Sequence, residues 1–243
     1  MEYRKLNLLN KEDRDIFERF YNDIFIVEFP DDDEAETIER FVDEYRTAEL
    51  NKNNHIIATY VVIDNGVPVA GFISDLFRHS KSVLLEYIAV REDYQRRHVG
   101  EFLFQHAVKD IFETFQDTWN CAPVLMFWET EDYQYCLEHG ILATRSKRWS
   151  FFTHMGANKV CMGHIQPPLE DGKNPVKHLD LCLWRFNRGS VMTVKREDVL
   201  MFLHDYYTYA IGCSEETKAD IFDSVKVSLA DIIKLEEVLC DEE

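Results

Sequence analysis

Residues 83–112 constrain the fold more than any other stretch of the chain. An apolar run from Val83 to Val90 reads as a strand, and a short charged turn follows. Then comes Gln95-Arg96-Arg97-His98-Val99-Gly100, and an amphipathic helix begins at once. Val99, Leu103, Ala107, Ile111 and Phe115 recur at helical spacing, with Glu101, Gln105, Lys109 and Glu113 on the other face. The backbone N–H groups at such a helix start have no helical carbonyl to meet and lie at the positive end of the helix dipole. Arg96 and Arg97 add two fixed positive charges. A pyrophosphate suits this construction.

The rest of the chain supplies a sheet for that unit to join. Residues 2–8 read as a first strand, and 11–24 as a helix with Ile16, Phe17, Phe20, Tyr21 and Ile24 on one side. Phe29-Pro30 breaks that helix. Asp31, Asp32 and Asp33 open another that runs to about Leu50, since acidic residues suit a helix start. His55–Ile63 and Val67–Ser74 form a hairpin around Asp64-Asn65-Gly66. A helix over 98–116 precedes a strand at 123–129, and two further strands are expected at about 160–166 and 178–186. Residues 194–240 read as helical, with Val199, Leu200, Phe202, Leu203, Tyr206 and Ala210 on one face. A second helix start is expected at Ser228-Leu229-Ala230-Asp231.

The loop resembles the acyl-CoA signature of the GNAT N-acetyltransferases, Gln/Arg-x-x-Gly-x-Gly/Ala, through Gln95 and Gly100; His98 stands where the first glycine is usual. Phe151, Phe152, Gly156, Ala157 and Val160 resemble the family's late helix and its exit, Phe-Tyr-x-x-x-Gly-Phe/Ala-x-x-Val. Gly156 would end that helix in the left-handed conformation. Two motifs at the expected separation weigh more than either alone. A Gln-Pro-x-Leu stretch at Gln166 followed by an apolar strand is similar to a bacterial subgroup of the same family.

The resemblance implies an α/β fold: a mixed, mostly antiparallel sheet of six to seven strands flanked by helices, with a C-terminal helical extension. It implies a catalytic domain over 1–190 and an extension over 191–243 that packs on the domain or on a partner subunit. The strands at 83–90 and 123–129 would run parallel and splay. The backbone of Ile88, Ala89 and Val90 would pair with the pantetheine of acetyl-CoA, the amides of Arg96, Arg97, His98, Val99 and Gly100 would hold its phosphates, and Gln95 and Phe152 would complete the cofactor site. His98 is expected to do so from an ordinary helical conformation in the first turn. An amide near Ile88 or Ala89 would stabilise the oxyanion. Residues 25–35 would select the acceptor.

Amine acetylation needs a base within reach of the nucleophile. Glu86 is the first choice, because a carboxylate in the apolar run Leu84-Leu85-Glu86-Tyr87-Ile88 is costly to bury idly and its pKa would rise. The alternative is that Glu86 faces an open surface or pairs with an arginine. Glu129 and Glu131 are secondary candidates, and His154 follows them. Family members often place tyrosine where this chain has Phe152, and phenylalanine cannot protonate a leaving thiolate. Tyr133, Tyr135 or water would then serve, or no acid is needed. His154, His164 and His178 lack metal-ligand spacing and read as surface or strand histidines.

Forty-five acidic against 27 basic residues set the net charge at −18, which disfavours nucleic acid and favours a cationic amine. No apolar run reaches membrane-span length, and the N-terminus lacks a signal region. Six scattered cysteines without a Cys-x-x-Cys pair argue against a zinc site and for reduced thiols in a cytoplasm. The reading is thus an acetyl-CoA-dependent N-acetyltransferase without a metal, acting on a small-molecule or peptide amine. A homodimer is compatible with the extension. The alternative is a non-catalytic acyl-CoA-binding sensor or interaction protein.

Overall fold

The computed structural model describes residues 1–30, 36–169, 174–187, 191–214, 222 and 230–236. The chain divides into two compact units, Met1–Pro123 and Val124–Glu243.

The first unit is a meander of four antiparallel strands with helices on its faces. Strand β1 (Glu2–Leu6) pairs with β2 (His55–Asp64), β2 with β3 (Val67–Phe77), and β3 with β4 (Ser82–Val90). Asn65 and Gly66 make the β2–β3 turn, both at positive φ (49° and 77°), as a two-residue hairpin of matching twist requires. Helix α1 (Lys11–Phe20) starts where the Asn10 side chain accepts the amides of Glu12 and Asp13. It widens into a π turn over Tyr21–Phe25 and ends in the short α2 (Ile26–Glu28). Helix α3 (Ile38–Leu50) is capped by Thr37. The aspartates at 31–33 lie outside the described residues.

Phe17, Phe20, Phe25 and Phe41 from these helices pack against Ile73, Tyr87 and Ala89 of the sheet. Gly71 has to be glycine, because a Cβ there would collide with the buried ring of Phe20. Helix α4 (Val99–Trp119) packs against β2 and β3, where Phe104 meets Phe72 with ring centroids 6.2 Å apart.

The second unit holds β5 (Leu125–Glu131), α5 (Tyr133–Glu138), α6 (Leu142–His154), β6 (Asn158–Val160), β7 (Leu179–Arg185), β8 (Thr193–Lys195), α7 (Arg196–Asp205) and β9 (Ile232–Glu236). Its described pairs are antiparallel: β5 with β7, β7 with β6, β6 with β9, and β9 with β8. Gly156, at φ 88°, ends α6; its amide bonds Thr153 O while the Ala157 amide bonds Phe152 O. That pairing is the Schellman arrangement expected from the sequence.

Nine strands are present among the described residues, against six or seven expected, and the C-terminal extension is helical only in part. Residues 232–236 form a strand instead of a helix. Ile233 and Leu235 are buried while Ile232, Lys234 and Glu236 are exposed, a period of two. The helix start at Ser228-Leu229 and the tail from 237 lie outside the described residues. Residues 130–142 contain α5, started by the Asp132 side chain accepting the Tyr135 amide at 2.7 Å.

Candidate active site

The loop between β4 and α4 is built around two left-handed residues. Arg96 and His98 stand at φ 59° and 60°, with Arg97 between them outside that region. Alternation of backbone hand turns successive amides into one concavity. His98 is therefore the residue before the helix and not part of its first turn, which corrects the expected helical conformation. The glycine usual at this place would adopt the same φ freely; a histidine carries a Cβ cost there.

The first helical bond of α4 runs from the Phe102 amide to His98 O, so the amides of Val99, Gly100 and Glu101 have no helical acceptor. The side chains of Gln95, Arg96, Arg97 and His98 are exposed, and Val99 is buried beneath them. Gln95 Nε2 donates to Val90 O at 3.0 Å and to Glu28 Oε1 at 3.2 Å, tying the loop to β4 and α2. Arg97 lies over the Tyr94 ring at 5.4 Å, and Tyr94 donates to Asp64 at 2.7 Å. Arg91 is bonded to Asp93. His98 Nδ1 and Glu101 are 3.1 Å apart.

On β4, Ile88, Ala89 and Val90 pair on one edge with Phe72, Gly71 and Ala70. The Val90 carbonyl is occupied by Gln95. Register breaks just before them: Ile73 faces Tyr87, but Ser74 faces Leu85. Glu86 is the extra residue of a β-bulge. In a regular strand Glu86 and Tyr87 would point to opposite faces. Here both reach toward α3. Tyr87 meets Phe25, Phe29 and Phe41 with ring centroids 4.8, 5.0 and 5.9 Å away. The Glu86 carboxyl meets Asp75, with Glu36 and Glu44 near.

Burial first, then the charge of Asp75 and a hydrogen bond to it, push the Glu86 carboxyl well above the usual range. Glu36 is raised by burial and then by Glu44, to which it is hydrogen-bonded. Glu44 is raised to about 7, by burial, against the pull of Arg40. The Arg40 guanidinium is bonded to Glu44 and lies 3.7 Å from Glu36. His55 Nε2 is bonded to Asp75 Oδ1. Glu86 is thus half-buried and bonded to a carboxyl, not to an arginine. Sequence reading missed Asp75, His55, Glu36 and Glu44. The signal was an aspartate in the run Phe72-Ile73-Ser74-Asp75-Leu76-Phe77, where a lone charge is as costly as at Glu86.

The other candidates lie in the second unit. Phe152 is buried and stacked on Trp128, centroids 4.5 Å apart. Burial alone would raise the Glu131 carboxyl, but its bond to Arg148 brings it below the ordinary value. Glu129 is bonded to His164 and receives the Tyr206 hydroxyl at 3.1 and 3.2 Å. His164 is therefore a buried partner of Glu129, which corrects its reading as a surface or strand histidine. In the sequence only Gly163 beside it marks the place, and a glycine does not distinguish a buried loop histidine from an exposed one. His154 is exposed, and His178 stacks on Tyr135 at 3.7 Å. Tyr133 is 49 % exposed. No group of three or more metal-ligating His, Cys, Asp or Glu residues occurs among the described residues, and no helix of theirs is long and apolar enough to cross a membrane.

A strand, an amide-lined turn and a helix in this order make an anion-binding α/β unit. The family model described as Acetyltransferase (GNAT) family matches residues 15–135. The chain belongs to the GNAT acetyltransferases. A GNAT-family structure from Bacteroides thetaiotaomicron overlaps with a TM-score of 0.58 at 12 % identity, covering 88 % of this chain and all of that one. At that identity the likeness concerns the fold alone. The ribosomal-protein-S18-alanine N-acetyltransferase of Escherichia coli overlaps at 0.47 and 14 % identity, covering 78 % and 97 % of the two chains. The aminoglycoside 6′-N-acetyltransferase of Enterococcus faecium overlaps at 0.48 and 12 %, covering 79 % and 100 %. Overlaps this loose say nothing about the substrate here. A comparison with curated protein sequences finds no match.

Proposed function

We propose that this chain is an acetyl-CoA-dependent N-acetyltransferase that acetylates the primary amine of a small molecule or peptide. The observation that carries the reading is the left-handed pair Arg96 and His98 directly ahead of a 21-residue helix. The donor set there suits a diphosphate: amides at the positive end of a long helix, flanked by two exposed arginines. Arg96, Arg97, His98, Val99 and Gly100 would hold the phosphates, and the backbone of Ile88 and Ala89 the pantetheine arm. Val90 would contribute through its amide, since its carbonyl is taken by Gln95.

Acetyl-CoA, when bound, supplies the thioester carbonyl that an amine attacks. Glu86 is the base in this reading. Its raised pKa gives the carboxylate a higher proton affinity than an ordinary glutamate, as a base requires. The amine nitrogen gives its proton to Glu86 as the new C–N bond forms. The C–S bond breaks, and the thiolate takes a proton from water. Phe152 offers no proton, and its ring is engaged with Trp128. Holding the two substrates together supplies much of the remaining rate gain. The net charge of −18 favours a cationic amine as acceptor.

Phe152 favours a second reading, an acyl-CoA-binding protein without turnover. Free CoA released from acetyl-CoA, measured with a panel of amines, separates the two. Amine-dependent release supports the enzyme; binding without release under every amine supports the sensor.

A further inference from the structure

Asp75 stands near the C-terminal end of β3 at 1 % exposure. One of its oxygens, Oδ1, is bonded by His55 Nε2 from β2. His55 is 3 % exposed and stacks on Phe77 at 5.5 Å, so the imidazole is held in place. The other oxygen, Oδ2, meets no N–H or hydroxyl donor although it is fully buried. What stands beside Asp75 is the carboxyl of Glu86, two residues along β4 from Leu84, the register partner of Asp75. Two carboxyl groups bond only when a proton lies between them. An unpaired buried oxygen is costly, and a shared proton removes that cost.

The surrounding charges do not offer an alternative. From α3 and the residues before it come Glu44, Glu36 and Arg40, and Arg40 is engaged by the two glutamates. Tyr45, also on α3, donates its hydroxyl to Leu6 O at 3.1 Å. From β2 comes His55, on the far oxygen of Asp75.

We propose that Asp75, held by His55, is the positioning residue for Glu86: by sharing its proton it sets the pH at which Glu86 acts as a base. The proposal rests on the reading of Glu86 as the base. In each turnover the proton leaving the amine nitrogen lands between the two carboxylates, which share it until it departs to solvent and leaves the pair unprotonated for the next amine. Loss of the Asp75 charge would make Glu86 a weaker base. Loss of the His55 bond would make Asp75 the stronger base of the two, so the proton would shift to Asp75.

The test reads the carboxyl directly, by carbon NMR of protein labelled at the glutamate side-chain carboxyls, with no cofactor or acceptor present. The Glu86 signal is the one missing from Glu86→Gln. In the unsubstituted chain it should titrate above the ordinary carboxylate range. In Asp75→Asn its midpoint should fall by about one to two pH units. In His55→Leu it should also fall, whereas His55→Gln, which keeps a donor, should hold it in place. An unchanged midpoint in folded Asp75→Asn overturns the proposal. Should that variant not fold, equal midpoints in His55→Leu and His55→Gln overturn it. Because no turnover is involved, this outcome is separate from whether the chain releases CoA. With an acceptor in hand, the acidic limb of the kcat profile should move with the NMR midpoint, which a merely structural role would not produce.

Discussion

Glu86 lies beside Asp75 although the register partner of Asp75 is Leu84. Alternation from Leu84 sets Glu86 on the face where Asp75, Glu36 and Glu44 collect, one diagonal step from Asp75. The same extra residue leaves Tyr87 on that face too, among Phe25, Phe29 and Phe41. One backbone irregularity therefore places a carboxyl of raised proton affinity at the lip of an aromatic cluster.

Replacing Glu86 by Gln removes the base and keeps the shape. Steady-state rates should fall by about 10²- to 10⁴-fold, with the acidic limb of the pH profile lost. Acetyl-CoA binding, measured by calorimetry, should be retained. An unchanged profile would place the base elsewhere.

The carboxyl cluster makes stability pH-dependent in a definite direction. Glu44 rises from 4.5 to about 7 in the folded chain, and Glu36 and Glu86 rise with it. The folded state then binds more protons than the unfolded state between those values. Stability contributed by these protons is complete below about pH 4.5 and is lost as pH rises through about 7. Urea midpoints should accordingly fall between pH 5 and pH 8, as test conditions on the order set by these values. Glu44→Gln should flatten part of that fall.

His98 carries a left-handed backbone at φ 60°. His98→Gly should leave stability equal or raise it by up to about 1 kcal/mol, as strain relief exceeds or balances the added freedom of the unfolded chain. His98→Val, β-branched, should cost about 1–2 kcal/mol. Thermal denaturation of the pair reads the difference. Equal loss in both would mean that the side chain matters and its backbone hand does not.

Gly71→Ala should destabilise the first unit by about 1–3 kcal/mol, because Phe20 is fully buried and its ring fills the space of the new Cβ. Chemical denaturation is the readout. Gly66→Ala, in open space but at φ 77°, should cost about 1 kcal/mol through backbone strain alone.

Much of the first unit, and one helix end of the second, was legible in the residues. The Asn65-Gly66 turn, the strand into a basic loop, and the glycine exit at Gly156 are local signals, each tied to a backbone angle that few residues adopt. The bulge at Glu86 was not legible, because it is a property of how β4 pairs with β3 and not of β4 itself. The left hand of Arg96 and His98 was hidden for a related reason: glycine would have announced it, and arginine and histidine do not. Ile232-Ile233-Lys234-Leu235 fits a helix face or a strand equally in so short a run, and pairing with β6 and β8 decided for the strand. His164 reads like any loop histidine until Glu129 and Tyr206 are folded against it.

Two arginines flanking a pyrophosphate predict a selective loss. Arg96→Ala with Arg97→Ala should weaken CoA binding more than pantetheine binding, and equal loss would undo the phosphate assignment.

The most direct measurement is a calorimetric titration of the purified chain with acetyl-CoA, with desulfo-CoA and adenosine diphosphate alongside. Saturable binding of roughly −8 kcal/mol, micromolar on the usual scale, is the predicted result, with weaker binding of the diphosphate alone. Absence of any saturable heat with acetyl-CoA would contradict the account.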